Sequence, residues 1–250
     1  AQAAIYLFAV TGEDAYKAYV LDHYRDLQPY RDMGWGRYNE EQGEALLLFT
    51  RLPGVAPGFR QRVLADFRRE VAAGNGVFGF DPRQDLYRSF LHDPQYHWGS
   101  LKPRANYGNV NLQAVRNGLA DTDRLRQRAL ETLHYFHGVN PLGLVMLSNM
   151  RQDGATRSLD RLFHLWYAAG TRRDSVAGSA CGPAPGYVTG GANVNVADNG
   201  VPASARPPRG QPPQKSFLDA NDPRLAAWTF NEPGIYYQSA YLKLLSEFVR

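Results

Sequence analysis

Cysteine is almost missing from this chain. With Cys181 alone among 250 residues, neither an intrachain disulfide nor a cysteine cage for a metal can form, so stability has to come from packing. Long apolar runs are missing as well. No stretch approaches the roughly twenty uninterrupted apolar residues of a membrane span, and the N-terminus lacks the basic, apolar and small-residue succession of a signal peptide. Composition therefore carries no cellular address. Charge of one sign is not in excess: 28 basic residues face 24 acidic ones, the arginines are scattered, and a formal charge of +4 is too mild to argue for nucleic acid. Runs of strand-like alternation are lacking. Gly190-Gly191 has neither a strand before it nor a Lys-Ser/Thr after it, which excludes a phosphate loop. No nucleophile elbow is present. His134 and His137 stand three apart without a third ligand nearby, so no metal site is assigned.

What is present is helix, short turn, helix. Two helical runs fill 1–24 with Thr11-Gly12 between them, and the first begins with no cap before its first apolar position, as expected of a chain already under way. Asn39 to Thr50, with Leu46-Leu47-Leu48-Phe49, suits a buried inner helix. Phe59 to Ala73 places Val63, Phe67 and Val71 on one face and charges on the other, an amphipathic outer helix. Helices are expected from Asn106 to Asn117 and from Asp121 to His137. After Asn140 helical spacing survives only in Leu159 to Ala168, and the last helix is read as Pro233 to Phe248. Alternating buried and amphipathic helices give an α/α arrangement, one domain of 1–250. The loop-rich stretch 140–223 is too long for an idle connection in a compact domain.

Glu232 is the most distinctive carboxyl group. It sits among Trp228, Phe230, Tyr236 and Tyr237, directly before Pro233, a residue welcome at a first helical position. A helix N-terminus favours the charged carboxylate and apolar rings favour the neutral acid, and that conflict suits a general acid. The plainer alternative is a helix cap.

Four segments now agree in order. Tyr96-His97-Trp98-Gly99-Ser100, His137-Gly-Val-Asn140-Pro141-Leu-Gly143, the Gly182-Pro183-Ala-Pro185-Gly186 loop with Gly190-Gly191-Ala-Asn193, and Asn231-Glu232-Pro233-Gly234-Ile235-Tyr236-Tyr237 together resemble the signature segments of glycoside hydrolase family 9, the cellulase family with an (α/α)6 barrel. The resemblance covers the chain from about residue 95 to its end and implies an all-α fold, the C-terminal part of an incomplete (α/α)6 barrel. It implies inverting hydrolysis of β-1,4 bonds in cellulose-like glucans, with Glu232 as general acid.

The family's Asp-Ala-Gly-Asp segment, which would carry the base, is not found. Asp81, Asp160 and Asp219 lie in no matching motif, so the base is expected outside this chain, on a missing N-terminal part of the barrel from the same gene or on a second chain. Trp98 is the candidate sugar-stacking platform, His97 and Tyr96 are candidates for sugar hydroxyls, Tyr236 and Tyr237 for substrate contact, and Asn231 for orienting Glu232. The family's Pro-His-His-Arg segment is replaced by 157–167, where His164 and Trp166 are the candidates.

That region, with Gly210 to Lys215, looks more like a bacterial subgroup that includes exo-β-D-glucosaminidases on chitosan oligosaccharides, where a carboxylate such as Asp160 would meet an amino group. A non-catalytic carbohydrate-binding remnant is the third reading. The resemblance also implies a secreted or periplasmic protein and no cofactor, with calcium common in the family but no ligands to assign. The expected partner is an oligo- or polysaccharide, with neither nucleic acid nor membrane.

Overall fold

The structure is a computed structural model and describes residues 1–31, 34–35, 39–74, 76–78, 85–119 and 121–249. Asp81 lies outside the described residues. The chain forms two compact units, one of 1–81 with 106–129 and one of 82–105 with 130–250.

The first unit contains α1 (Gln2–Thr11), α2 (Asp14–His23), the short α3 (Gln28–Arg31), α4 (Glu40–Phe49), α5 (Pro57–Ala73) and the later part of α6 (Leu101–Arg116). Pro57 opens α5 and Gly74, at a φ of 65°, ends it. Phe59, Val63, Phe67 and Val71 are its buried row. Packing here is aromatic: Phe8 meets Phe49, Phe49 meets Phe59 edge-on, and Trp35 stacks on Phe67 at 4.1 Å between centroids. Gly43 lets the Trp35 ring come close, since a Cβ there would stand 3.0 Å from it.

Helix α6 is buried along most of its length, polar residues included. The Asn111 amide donates to the Tyr107 and Val77 carbonyls, and the Gln113 amide to Glu40. It begins at Leu101, five residues before the sequence expectation, because Pro103 is tolerated in a first turn whose N–H groups have no helical partner.

The second unit holds the start of α6, the end of α7 (Thr122–Phe136), a pair of short parallel strands β1 (Val145–Ser148) and β2 (Ser158–Leu159), long loops, and the final helices α8 (Trp228–Asn231) and α9 (Ile235–Leu245). Two expectations are corrected here. No helix forms over Leu159 to Ala168, apart from a single turn at Leu165–Tyr167. The Asp160 and Arg161 N–H groups donate to the Asp219 carboxylate and that of Phe163 to the Asn231 carbonyl, so the donors a helix would need are taken.

The last helix does not begin at Pro233 either. A residue before proline is driven to extended backbone, and Glu232 has φ −70° and ψ 123°. The chain breaks between Asn231 and Ile235, with Gly234 as N-cap. The buried face of α9 is Tyr237, Ala240, Tyr241 and Leu244, while Ile235 and Leu242 are exposed.

Helix α9 is tied to three other segments of its unit. The Tyr237 ring packs on Gly99, the Tyr241 hydroxyl is 2.9 Å from His137 Nε2, and Gln238 receives the Val188 N–H at 2.9 Å while returning its own amide to the Val188 carbonyl. Gln238→Ala would leave both groups of buried Val188 unpaired. We expect it to cost about 2–4 kcal/mol of stability, read from the denaturation midpoint.

Candidate active site

The glycine and asparagine motifs are backbone devices. Asn140 ends α7: its amide donates to the Tyr135 and Leu144 carbonyls, and its oxygen accepts from the N–H of Leu142 and Leu144. The 182–188 loop is strapped to β1 through Ser148, whose hydroxyl donates to the Ala184 carbonyl and accepts the Tyr187 N–H. Beyond it, Gly190 and Gly191 lie against both the Trp98 segment and α8. The Gly190 carbonyl accepts from Leu101 N–H, the Gly191 N–H donates to the Phe230 carbonyl, and a Cβ on Gly190 would stand 2.2 Å from the Trp98 carbonyl oxygen. Asn193 continues the strap, donating its N–H to Ser216 and accepting from the Ser216 hydroxyl.

These ties hold the backbone leading to Glu232. The Phe230 carbonyl is taken by Gly191 and the Asn231 carbonyl by Phe163. The Asn231 side chain, fully buried, donates to the Arg161 carbonyl and to the Asp219 carboxylate at 2.7 Å. Glu232 is the next residue and is exposed. It stands at the C-terminal end of α8 and does not cap the start of α9, where Gly234 is the N-cap, and it is not enclosed by rings, which corrects both sequence readings of its surroundings.

Tyr237, buried beside it, has its hydroxyl pushed well above the ordinary phenol value, first by burial, then by the Tyr236 hydroxyl 3.5 Å away and by the charges of Tyr236 and Glu232. Tyr236 is half exposed, with Lys102 5.7 Å from the centre of its ring. The exposed groups of this region are therefore the Glu232 carboxyl, the Tyr236 phenol and the Trp98 ring.

His164 and Trp166 are also exposed, their rings edge to face at 6.2 Å, directly after the segment bonded to Asn231. Tyr96 is different. It is buried, its hydroxyl accepts from Arg104 at 2.9 Å, and burial pushes it up to about 12, so its side chain belongs to the packing around Arg104. Arg104 is itself buried, with its guanidinium 3.7 Å from the centre of the Tyr135 ring. A cavity of about 470 Å3 borders Tyr96, Tyr87, Phe90 and Lys215 but includes neither Glu232 nor the tryptophans.

Asp160 is also committed. It accepts the Ala177 N–H and lies 3.6 Å from Arg151 and 3.7 Å from Arg161. Among the described residues, no group of three or more His, Cys, Asp or Glu could hold a metal.

The sequence model of glycosyl hydrolase family 9 matches residues 1–245. The chain belongs to glycosyl hydrolase family 9. Solved structures agree on the fold. AaCel9A in complex with cellobiose-like isofagomine superposes with a TM-score of 0.73 at 21% identity, over 98% of this chain and 42% of that one. The family 9 endoglucanase J30 gives 0.72 at 22%, over 99% and 41%, and a Bacteroides ovatus family 9 protein gives 0.61 at 19%, over 98% and 39%. A search of curated proteins gives no match.

This family 9 chain thus spans about 42% of the length of its first structural neighbour and has the fold of the corresponding part of an (α/α)6 barrel. Among the described residues no helix is long and apolar enough to cross a membrane. Asp219 and Gln238, which hold the site together, went unassigned by the sequence reading. Neither lies at a spacing that names a chemistry.

Two expectations follow. In Gly190→Ala the new methyl meets backbone rather than a yielding side chain, so stability should fall by about 1–3 kcal/mol in a denaturant titration. His97 accepts the Gly99 N–H at Nδ1, and burial lowers its proton affinity. Its unfolded state binds the proton more readily, so His97 contributes stability that is complete above the ordinary imidazole value of about 6.5 and is lost as pH falls below it. Melting curves of His97→Gln should fall less steeply than wild type as pH drops through that range.

Proposed function

We propose that the protein carrying this chain hydrolyses β-1,4-glycosidic bonds in cellulose-like glucans or oligosaccharides with inversion, and that Glu232 is its general acid. The observation that carries this reading is the exposed Glu232 carboxyl on a backbone pinned by the Gly190-Gly191 loop and the 160–163 segment, beside Tyr237, which packs on Gly99. Family membership supplies the reaction class. Protonated Glu232 gives its proton to the leaving glycosidic oxygen while a carboxylate on the opposite side takes a proton from the attacking water. In inverting enzymes the two carboxyl groups stand roughly 6.5–9.5 Å apart to admit that water.

The opposing aspartate belongs to a part of the barrel outside residues 1–250, on the same gene product or on a second chain. Within this chain, 140–223 is the loop region of one catalytic domain. Trp98 and Trp166 offer flat faces for sugar rings, with His97 beside the first and His164 beside the second, and the half-exposed Tyr236 adds a hydroxyl. Tyr237 faces Glu232. A glucan is preferred to a glucosamine polymer because the Asp160 carboxylate, the group considered for an amino sugar, already has two arginines beside it. The family's polysaccharide substrates are met outside the cell, in a secreted or periplasmic setting.

The test is hydrolysis of cello-oligosaccharides by the whole protein that contains this chain. Glu232→Gln should lower kcat by about 10²–10⁴-fold, the usual contribution of a general acid, with oligosaccharide binding retained. Unchanged kcat in that variant would remove Glu232 from the reaction. Binding of cello-oligosaccharide without turnover by the unmodified protein would favour a carbohydrate-binding role instead.

A further inference from the structure

Two segments of the site are separate in sequence: 160–166, which carries His164 and Trp166, and 228–232, which carries Glu232. A side chain from outside both joins them. Asp219 accepts the Asp160 N–H at 2.7 Å and the Arg161 N–H at 3.2 Å from the first segment, and the Asn231 amide at 2.7 Å from the second. Asn231 then returns to the first segment twice, through its amide to the Arg161 carbonyl and through its own carbonyl to the Phe163 N–H.

Both Asn231 amide contacts are to acceptors, so the amide cannot turn over without setting oxygen against oxygen. The geometry is therefore single-valued. Oδ1 of Asp219 takes the Arg161 N–H and the Asn231 amide while Oδ2 takes the Asp160 N–H, so an amide at 219 would set its own NH2 against one of these donors. Burial raises Asp219 above the usual carboxylate range, while the N–H donors pull the other way. Arg161 and Asp174 are paired at 2.7 Å, and Asn221 donates to Asp174 and to the Tyr167 carbonyl, which braces the far end of the same loop.

We propose that Asp219 is a positioning residue that holds the His164–Trp166 loop in register with Glu232. It touches neither substrate nor proton in this role. Its effect is to keep a sugar-binding face and the acid at a constant separation, an arrangement in which small displacements are costly to rate. The catalytic consequence rests on the glycoside hydrolase reading, whereas the clamp itself does not.

The experiment is residue-resolved hydrogen exchange and kinetics on Asp219→Asn in the whole protein. The substitution touches neither the Phe163 N–H to Asn231 bond nor the Gly191 N–H to Phe230 bond. Phe163 should lose protection by about tenfold or more while Gly191 keeps it, as local opening requires. Protection kept at both would overturn the clamp, and equal loss at both would make Asp219 a general stability residue and overturn it too. If Asp219→Asn does not fold, Asn231→Ala, which cuts only the link between segments, is read by the same pair of amides.

In kinetics, Asp219→Asn should raise KM for cello-oligosaccharides by about tenfold, the scale of one ring contact, and the increase should vanish in a Trp166→Ala background. Fully additive effects would contradict positioning through the loop. If the unmodified protein neither binds nor cleaves glycosides, the functional reading fails, and the exchange result decides the clamp by itself.

Discussion

The site depends on hydrogen bonds from distant loops to two consecutive carbonyls, those of Phe230 and Asn231. Helix α8 is only four residues long and the proline after Glu232 prevents its continuation, so local structure alone would leave this segment poorly determined. The N–H groups of Gly191 and Phe163 supply what the helix cannot. Because Gly190 and Gly191 are also pressed against the 98–101 segment, that segment and the backbone before Glu232 share one support. Helix α9, through Tyr237, Gln238 and Tyr241, ties the same region to Gly99, Val188 and His137.

Long loops carry this arrangement because they are folded on themselves by side-chain to backbone bonds. Ser148, Asn149, Asn193 and Ser216 each bind a backbone group of the loops between 183 and 217. Such groups take the part that a helix or sheet ladder plays elsewhere, which lets a stretch rich in glycine and proline hold one shape without regular structure. The cost is local sensitivity. Each such bond is made once, and a single substitution leaves a buried partner unsatisfied.

Much of the helical architecture could be read from spacing, since Phe59, Val63, Phe67 and Val71 repeat every four residues and are buried as that period requires. The start of α6 at Leu101 was not legible, because proline at a first turn and proline that ends a helix look alike in sequence. Leu159 to Ala168 had helical spacing but lost its backbone donors to Asp219 and Asn231, a tertiary competition that no local pattern contains. In the site, the motif residues were legible as motifs, yet Asn140, Gly190 and Asn193 proved to act on backbone, and buried Tyr96 is bound to Arg104. Asp219 was illegible for the same reason. Its three donors come from 12 to 59 residues away, and nothing in its neighbours announces them.

The measurement that bears most directly on this account is a crystal structure of the whole protein with a non-hydrolysable cello-oligosaccharide. The expected result is a glycosidic oxygen within hydrogen-bond reach of the Glu232 carboxyl, with sugar rings against Trp98 and Trp166 and an aspartate from outside residues 1–250 across the bond. An oligosaccharide seated instead in the cavity of Tyr87, Phe90 and Lys215, with Glu232 untouched in solvent, would contradict it.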